Sequence, residues 1–477
     1  MGCTHPPAAT PTATAATPAD GNFPQDVANI FLTRCANAGC HNAASYAGAG
    51  NLGLNDWQRL FEGSTSGAPV VPFSIEQSPL LFYINTDATK GPVAQPRMPL
   101  NSPSLTAAEY ETIRAWITAG APDKNGNIAF SSDAPKRRKI YITQQGCDLV
   151  AVVDADTRQV MRQIPIGKTN AIESAHCIRV DEQGDFAYVS FLGGVYIQKI
   201  DCRTDQVVAD GFVGSGQWNI LHVSQDGTKV MAADFNNGVL KVFRASDMTL
   251  LQSFAAAGLF VNPHGIAAVP TFDTFFITSQ YGNTIYKFST DGGLYEQIAI
   301  DGSGAPQTAP NTEDPHEIFL TPDGARLVIT CQASNKVRIL DAHSNALLAT
   351  FDVGIRPQEI ALSRRQPYAF VSCQEDVSPY PGFKGSVYVL NYETLQLVRR
   401  IDGQFYQPHG LAVDEDSAML YVASANVDTS GIAPHHVSAC AGRNGWYNAI
   451  PINGPMPATL RRYELAVYPY SVDSRIK

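Results

Sequence analysis

The segment Cys35-Ala-Asn-Ala-Gly-Cys40-His41 sets two thiols with four residues between them and an imidazole directly after the second. A cysteine pair followed at once by histidine suits covalent attachment of haem c. The thiols add to the haem vinyl groups, and the neutral imidazole offers its lone pair to the iron. The usual motif has two residues between its cysteines, so this wider spacing needs support from its surroundings. A second axial ligand is offered by Pro96-Arg97-Met98-Pro99. A thioether is a soft ligand, and the flanking prolines stiffen its loop. Met98 could also be a filler of the core; its place between the cysteine motif and a terminal helix favours ligation. Histidine–methionine ligation raises the reduction potential and suits electron transfer.

Two helices must position these groups. Pro24 to Arg34 reads as the first, opened by Asn22 or Gln25, with Val27, Ile30 and Phe31 as its buried stripe. It delivers Cys35 at its C-terminal end. The last helix begins at a capping box, Thr106-Ala-Ala-Glu109. Tyr110, Ile113, Trp116 and Ile117 form its apolar stripe, Gly120 suits its C-terminal turn, and Pro122 prevents continuation.

Taken in order, Cys35 to His41, Leu52 and Leu54, Ser78-Pro-Leu-Leu81, Arg97-Met98-Pro99 and Thr106 to Pro122 resemble the small single-haem cytochrome c domains fused to larger bacterial proteins. The likeness spans about 100 residues. It implies a small all-α domain over residues 22–125, one haem c, His41 as proximal ligand and Met98 as distal ligand.

From residue 139 a different pattern recurs. Each copy holds short strands rich in β-branched and aromatic residues and a loop into an entry strand, often opening Pro-His. In one copy His316 to Leu320 is followed by the Pro322-Asp-Gly324 turn, then Arg326 to Cys331, Lys336 to Asp341 and Leu347 to Val353. The entry points fall at His176, Asn219, His264, His316, Gln358, His409 and Tyr470, at intervals between 42 and 61 residues. Such intervals suit four-stranded propeller blades, and seven entry points imply seven blades. The first copy has three strands (Lys139 to Gln144, Asp148 to Asp154, Val160 to Ile166) and no entry strand, whereas Pro469 to Val472 is an entry strand with nothing after it. The C-terminal strand should therefore complete the first blade and close the ring. Tyr141-Ile-Thr, Tyr188-Val-Ser, Phe276-Ile-Thr, Val328-Ile-Thr, Phe370-Val-Ser and Tyr421-Val-Ala resemble the YVTN class of seven-bladed propellers. That resemblance implies a fold over about 340 residues and is nearly silent on activity. The expected fold is thus multidomain: a tether (1–21), the haem domain (22–125), a linker (126–138) and an all-β propeller (139–477).

The seven entry residues should encircle the propeller axis. All can hydrogen-bond, and four of the chain's ten histidines are among them: His176, His264, His316 and His409. Two readings stand. Converging neutral imidazoles suit a second metal, copper, zinc or iron; the plainer reading is a polar, water-filled channel. His435, His436 and Cys440, in an insertion of the seventh blade, offer metal ligands or belong to an exposed loop. Cys331 and Cys373 occupy the same strand position in adjacent blades, too far apart for a disulfide unless the blades pinch.

The net charge of −10 argues against nucleic acid as a partner. The run Lys136 to Lys139 reads as a solvated linker edge. No stretch is long and apolar enough to cross a bilayer. Gly2-Cys3 followed by a Thr/Pro/Ala-rich segment to Asp20 resembles the start of a mature bacterial lipoprotein, with Cys3 carrying lipid; a chance cysteine in a tail is the alternative. Haem c is attached outside the cytoplasm, so a periplasmic or cell-surface location is expected. Three functions follow. The first is electron transfer, with the propeller docking a redox partner protein. The second is an oxidoreductase acting at the histidine ring, with haem as relay. The third is a binding lipoprotein with structural or sensory haem.

Overall fold

A computed structural model describes residues 19–254, 259–310, 313–425, 445–453 and 460–475. From Lys139 onward the described residues form seven four-stranded antiparallel sheets. Blade 1 is built from both ends of that region: Pro469–Ser474 pairs with Lys139–Gln144, which pairs with Leu149–Asp154 and then Gln159–Pro165. Ile140 faces Ser474, and Ile142 faces Val472. The C-terminal strand is therefore the inner strand of blade 1, as the unpaired entry strand predicts. Blades 2 to 7 run in chain order, with inner strands Ala175–Val180, Ile220–Val223, Pro263–Ala268, Pro315–Leu320, Pro357–Leu362 and Pro408–Asp414.

The recurring Thr or Ser of the Tyr-Val-Thr-type strands has a definite structural task. Thr330 Oγ1 accepts from Glu317 N at 3.0 Å within blade 5 and donates to Gln358 O at 2.6 Å in blade 6. Thr278 does the same for Gly265 N (2.6 Å) and His316 O (3.0 Å). One hydroxyl thus holds an inner strand to its own blade and to the next one. It satisfies backbone groups that a bulge removes from the ladder.

Among the described residues, four short α-helices lie ahead of the propeller: α1 (Gln25–Ile30), α2 (Trp57–Phe61), α3 (Pro79–Ile84) and α4 (Ala107–Thr118). Helix α1 continues through a π-helical turn, Phe31–Cys35, so the helical stretch ends on the first cysteine as expected. Its N-cap is Pro24, with no side-chain cap; neither Asn22 nor Gln25 opens it. The capping box of α4 is present in both directions, and Gly120 turns the chain with φ +96°. Phe23, Phe31 and Trp116 pack edge to face, joining α1 to α4, with ring centres 5.1 to 6.1 Å apart.

The basic run departs from its sequence reading. Lys139 is buried against Asp205 at 2.8 Å, Arg137 pairs with Asp154 at 2.6 Å, and Arg138 pairs with Asp414 at 3.1 Å. It is not a solvated edge: three of its cations meet carboxylates in blades 1, 2 and 7. The preceding segment is likewise packed, with Ala129 in the helical core and Phe130 against Phe61.

Candidate haem site and axial channel

The Cys35–His41 segment leaves the π-helical turn and folds back, with His41 N donating to Cys35 O at 3.2 Å. His41 Nδ1 lies 2.9 Å from Leu52 O. A carbonyl only accepts, so Nδ1 carries the proton and Nε2 keeps its lone pair. That is the tautomer and the anchoring an iron ligand needs. Leu54 N donates to His41 O at 2.8 Å, securing the loop from its other side. Met98 is held by its own N–H to Tyr83 O at 2.8 Å. Cys35 and Met98 both pack, half-buried, against the core formed by Phe31, Leu80, Ile113 and Trp116. Burial pushes the Cys35 thiol up to about 12. Arg34 fixes the turn to α4 through Glu109 (2.6 Å) and Pro103 O (2.9 Å). Cys35 and Met98 thus border one apolar core, and His41, beside the free thiol of Cys40, is oriented by Leu52 O; these are residue types that could hold a haem covalently and ligate its iron.

In the propeller, His176, Asn219, His264, His316, Gln358, His409 and Tyr470 are all buried at the starts of the inner strands. The sequence shows the position; the structure adds the device that aims it. In blades 2, 4, 5, 6 and 7 the ladder slips at this point, between Ala175 and Cys177, Pro263 and Ile266, Pro315 and Ile318, Pro357 and Ile360, and Pro408 and Leu411. Such bulges re-aim side chains. Ring centres are 4.0 Å apart for His264 and His316, 3.7 Å for His409 and Tyr470, 4.4 Å for His176 and Tyr470, and 5.8 Å for His316 and His409. The side chains therefore do converge. His176 Nδ1 donates to Asn219 O at 2.6 Å and His264 Nδ1 to His316 O at 3.1 Å, which again fixes the tautomer. Among the described residues, no three His, Cys, Asp or Glu side chains are grouped to hold a metal ion. His435, His436, Cys440 and Cys3 lie outside the described residues. Cys331 and Cys373 are free, as the blade spacing predicts, and Cys147 is disulfide-bonded.

Directly beyond the ring lies a tier that the sequence reading missed. Arg179 of blade 2 reaches across the channel to Glu317 of blade 5 and Glu359 of blade 6, its Nη2 standing 3.9 Å from each carboxylate. Asp473 of blade 1 accepts from Val180 N at 2.7 Å. A signal was available: Pro315-His-Glu-Ile and Pro357-Gln-Glu-Ile repeat a glutamate just after the ring position.

The fold and site thus define a seven-bladed β-propeller carrying a small helical domain and a converging polar ring on its axis. No protein-family model and no curated protein sequence matches the chain. Among solved structures, a functionally unknown protein from Desulfotomaculum acetoxidans is similar at 15% identity and TM-score 0.51, over 70% of this chain and 99% of that one. Kuenenia stuttgartiensis hydrazine synthase is similar at 17% identity and TM-score 0.44, over 54% of this chain and 75% of that one. The dihydro-heme d1 dehydrogenase NirN, in complex with DHE, is similar at 12% identity and TM-score 0.45, over 77% and 86%. The first of these supports the propeller fold.

Proposed function

We propose that the chain is an extracytoplasmic c-type cytochrome that transfers electrons through one covalently bound haem, with the propeller as a platform for a redox partner protein. The observation that carries this reading is His41 held by Leu52 O directly after Cys35 and Cys40, with Met98 at the rim of the same core. Cys35 and Cys40 would hold the haem, and His41 and Met98 would ligate its iron. When bound, haem supplies one-electron chemistry; the protein sets its potential through the ligands and the apolar wall. Arg34 and the α1–α4 contact keep Cys35 in place, and the 2.9 Å hydrogen bond to Leu52 O keeps His41 oriented. The tether composition supports a lipid anchor at Cys3 and a periplasmic or cell-surface location. Among the described residues no helix is long and apolar enough to cross a membrane.

The experiment is a pyridine haemochrome spectrum of the chain matured in a host that attaches haem c. A c-type band at one haem per chain, lost in C35A/C40A, is expected; its absence removes the reading. M98A should keep the band and lose the methionine-to-iron charge-transfer absorption.

A second reading is favoured by the bulge-aimed histidines: an oxidoreductase with copper, zinc, iron or a small molecule bound at His176, His264, His316 and His409, and haem as relay. Elemental analysis decides it. A second metal equivalent lost in H264A/H316A supports it, and one iron as the only metal counts against it.

A further inference from the structure

Helices α3 and α4 wall a cavity of 340 Å³ in the helical domain. Its apolar wall is Ile75, Leu81, Phe82 and Pro92. Lys90, Tyr110 and Arg114 supply polar groups, and Glu76 also lines it. None of Cys35, Cys40, His41 and Met98 belongs to its walls. The sequence sets up this space locally. Tyr110 and Arg114 stand four residues apart on α4, so their side chains share one face. The loop after α3 is tied back to it: Asn85 Nδ2 donates to Gly91 O at 3.0 Å and to Pro92 O at 3.1 Å. From this loop Lys90 reaches α4, meeting Glu111 Oε1 at 2.6 Å.

The polar groups are unevenly satisfied. Tyr110 is 7% exposed, yet among the described residues its hydroxyl makes no hydrogen bond. Burial raises its pKa, so the phenol stays protonated at neutral pH and has an O–H to donate. A buried hydroxyl is normally paired, so this one calls for an acceptor in the cavity it lines. Among the described residues the Arg114 guanidinium donates no hydrogen bond either; it stands 3.7 Å from Glu111 Oε2, whose partner oxygen already serves Lys90. All three groups are donors, and a planar pair of oxygens answers a guanidinium best. Glu111 and Glu76 balance Lys90 and Arg114 in charge, so hydrogen bonding does the selecting, not a net field. Glu76 is exposed, and water screens its repulsion.

We propose that this cavity binds a small aromatic carboxylate, its two oxygens on Arg114 and the Tyr110 hydroxyl and its ring against Leu81 and Phe82. The carboxylate takes two parallel N–H bonds from the guanidinium and one O–H bond from the phenol, and Lys90 adds a nearby positive charge. The apolar wall removes the ring from water. Ligand pockets span about 300–1,000 Å³, and this one stands at the small end, which suits a single-ring acid. The site is separate from the candidate haem ligands and does not rest on them.

Fluorine NMR of 4-fluorobenzoate titrated with the full chain tests it. A saturable shift with one site per chain is expected, with and without attached haem. Arg114→Gln and Tyr110→Phe should each weaken binding about tenfold, the size of a hydrogen bond to a charged group. Tyr110→Phe keeps the ring in the α4 stripe, so it reads the hydroxyl alone. Glu76→Gln should tighten binding about twofold, as removal of an exposed like charge does. Neutral 4-fluorobenzyl alcohol should bind about tenfold more weakly than the acid, for want of the charge-assisted pair. No saturable shift, or binding unchanged in Arg114→Gln, overturns the site. Equal binding of the alcohol overturns the ligand class. Binding that vanishes once haem is attached would show the cavity to belong to the haem, and overturns the proposal too.

Discussion

At the scale of single residues, the bridging hydroxyls and the tautomer-fixing carbonyls do the most for the least mass. Thr330 serves two blades at once, so Thr330→Val leaves the buried N–H of Glu317 and the C=O of Gln358 without it. The expected cost is about 2–3 kcal/mol, because stranded buried backbone groups keep their full desolvation penalty. Thr330→Ser keeps the hydroxyl and should lose less than half of that, read as the denaturant midpoint of each variant. His222 gives a pH signature. It stacks on Phe272, with ring centres 6.2 Å apart, and is pushed down to about 4 by burial and Arg179. The native state therefore binds this proton less readily than the unfolded chain. Its contribution to stability is complete above the ordinary histidine pKa of 6.5 and is lost as pH falls through about 4. Melting temperature should decline over that window, and His222→Gln should flatten the decline. An equally steep decline in the variant would show that other groups titrate there.

At the scale of elements, the closing strand decides whether the ring exists. Removing residues 469–477 strips Ile140, Tyr141 and Ile142 of their inner partner and exposes a wholly buried strand edge in blade 1. An open edge of this kind pairs with other chains. The truncated chain should aggregate, and a synthetic peptide of the missing residues added during refolding should restore soluble protein; soluble truncated protein without the peptide would contradict this. Much of this architecture was legible in the sequence. The entry residues were visible because they recur, and the α4 boundaries because capping chemistry is local: Thr106, Glu109 and Gly120 act within a turn of where they stand. The bulges were not legible, since they arise where seven strands crowd one axis. Nor was the Arg179 tier, because it joins residues 138 and 180 positions apart that only ring closure brings together. The basic run was misread for the same reason: Arg138 and Asp414 are 276 positions apart in sequence.

At the scale of the whole molecule, the helical domain is fixed to the propeller, and this changes what each part can do. Ala68 and Val71 belong to the same buried cluster as Ile140, Tyr421, Tyr463 and Leu465, so an apolar core crosses the boundary between blades 1 and 7. Glu464 N donates to Ser66 O at 2.9 Å, and Arg461 donates to Ser64 O. On the other side Arg162 donates to Ala129 O at 3.1 Å and lies over the Phe73 ring. This attachment reaches the candidate haem site, because Thr65 N donates to Gly50 O at 2.8 Å, two residues before the carbonyl that orients His41. An interface with a shared apolar core should melt as one unit with its partner, unlike the polar contacts of independently moving domains. Ala68 is 7% exposed, and Ala68→Glu places an unpaired carboxyl there, at an expected cost of about 2–4 kcal/mol to docking. The unsubstituted chain should show one thermal transition, with the helical signal and the propeller signal coincident. In Ala68→Glu the helical signal should fall first, by several degrees, while the propeller transition stays close to its original temperature. Coincident transitions in the variant would mean that the segment from Ser64 to Val71 contributes little to the coupling, and that the contacts of Arg162 with Ala129 and Phe73 hold the domain in place instead.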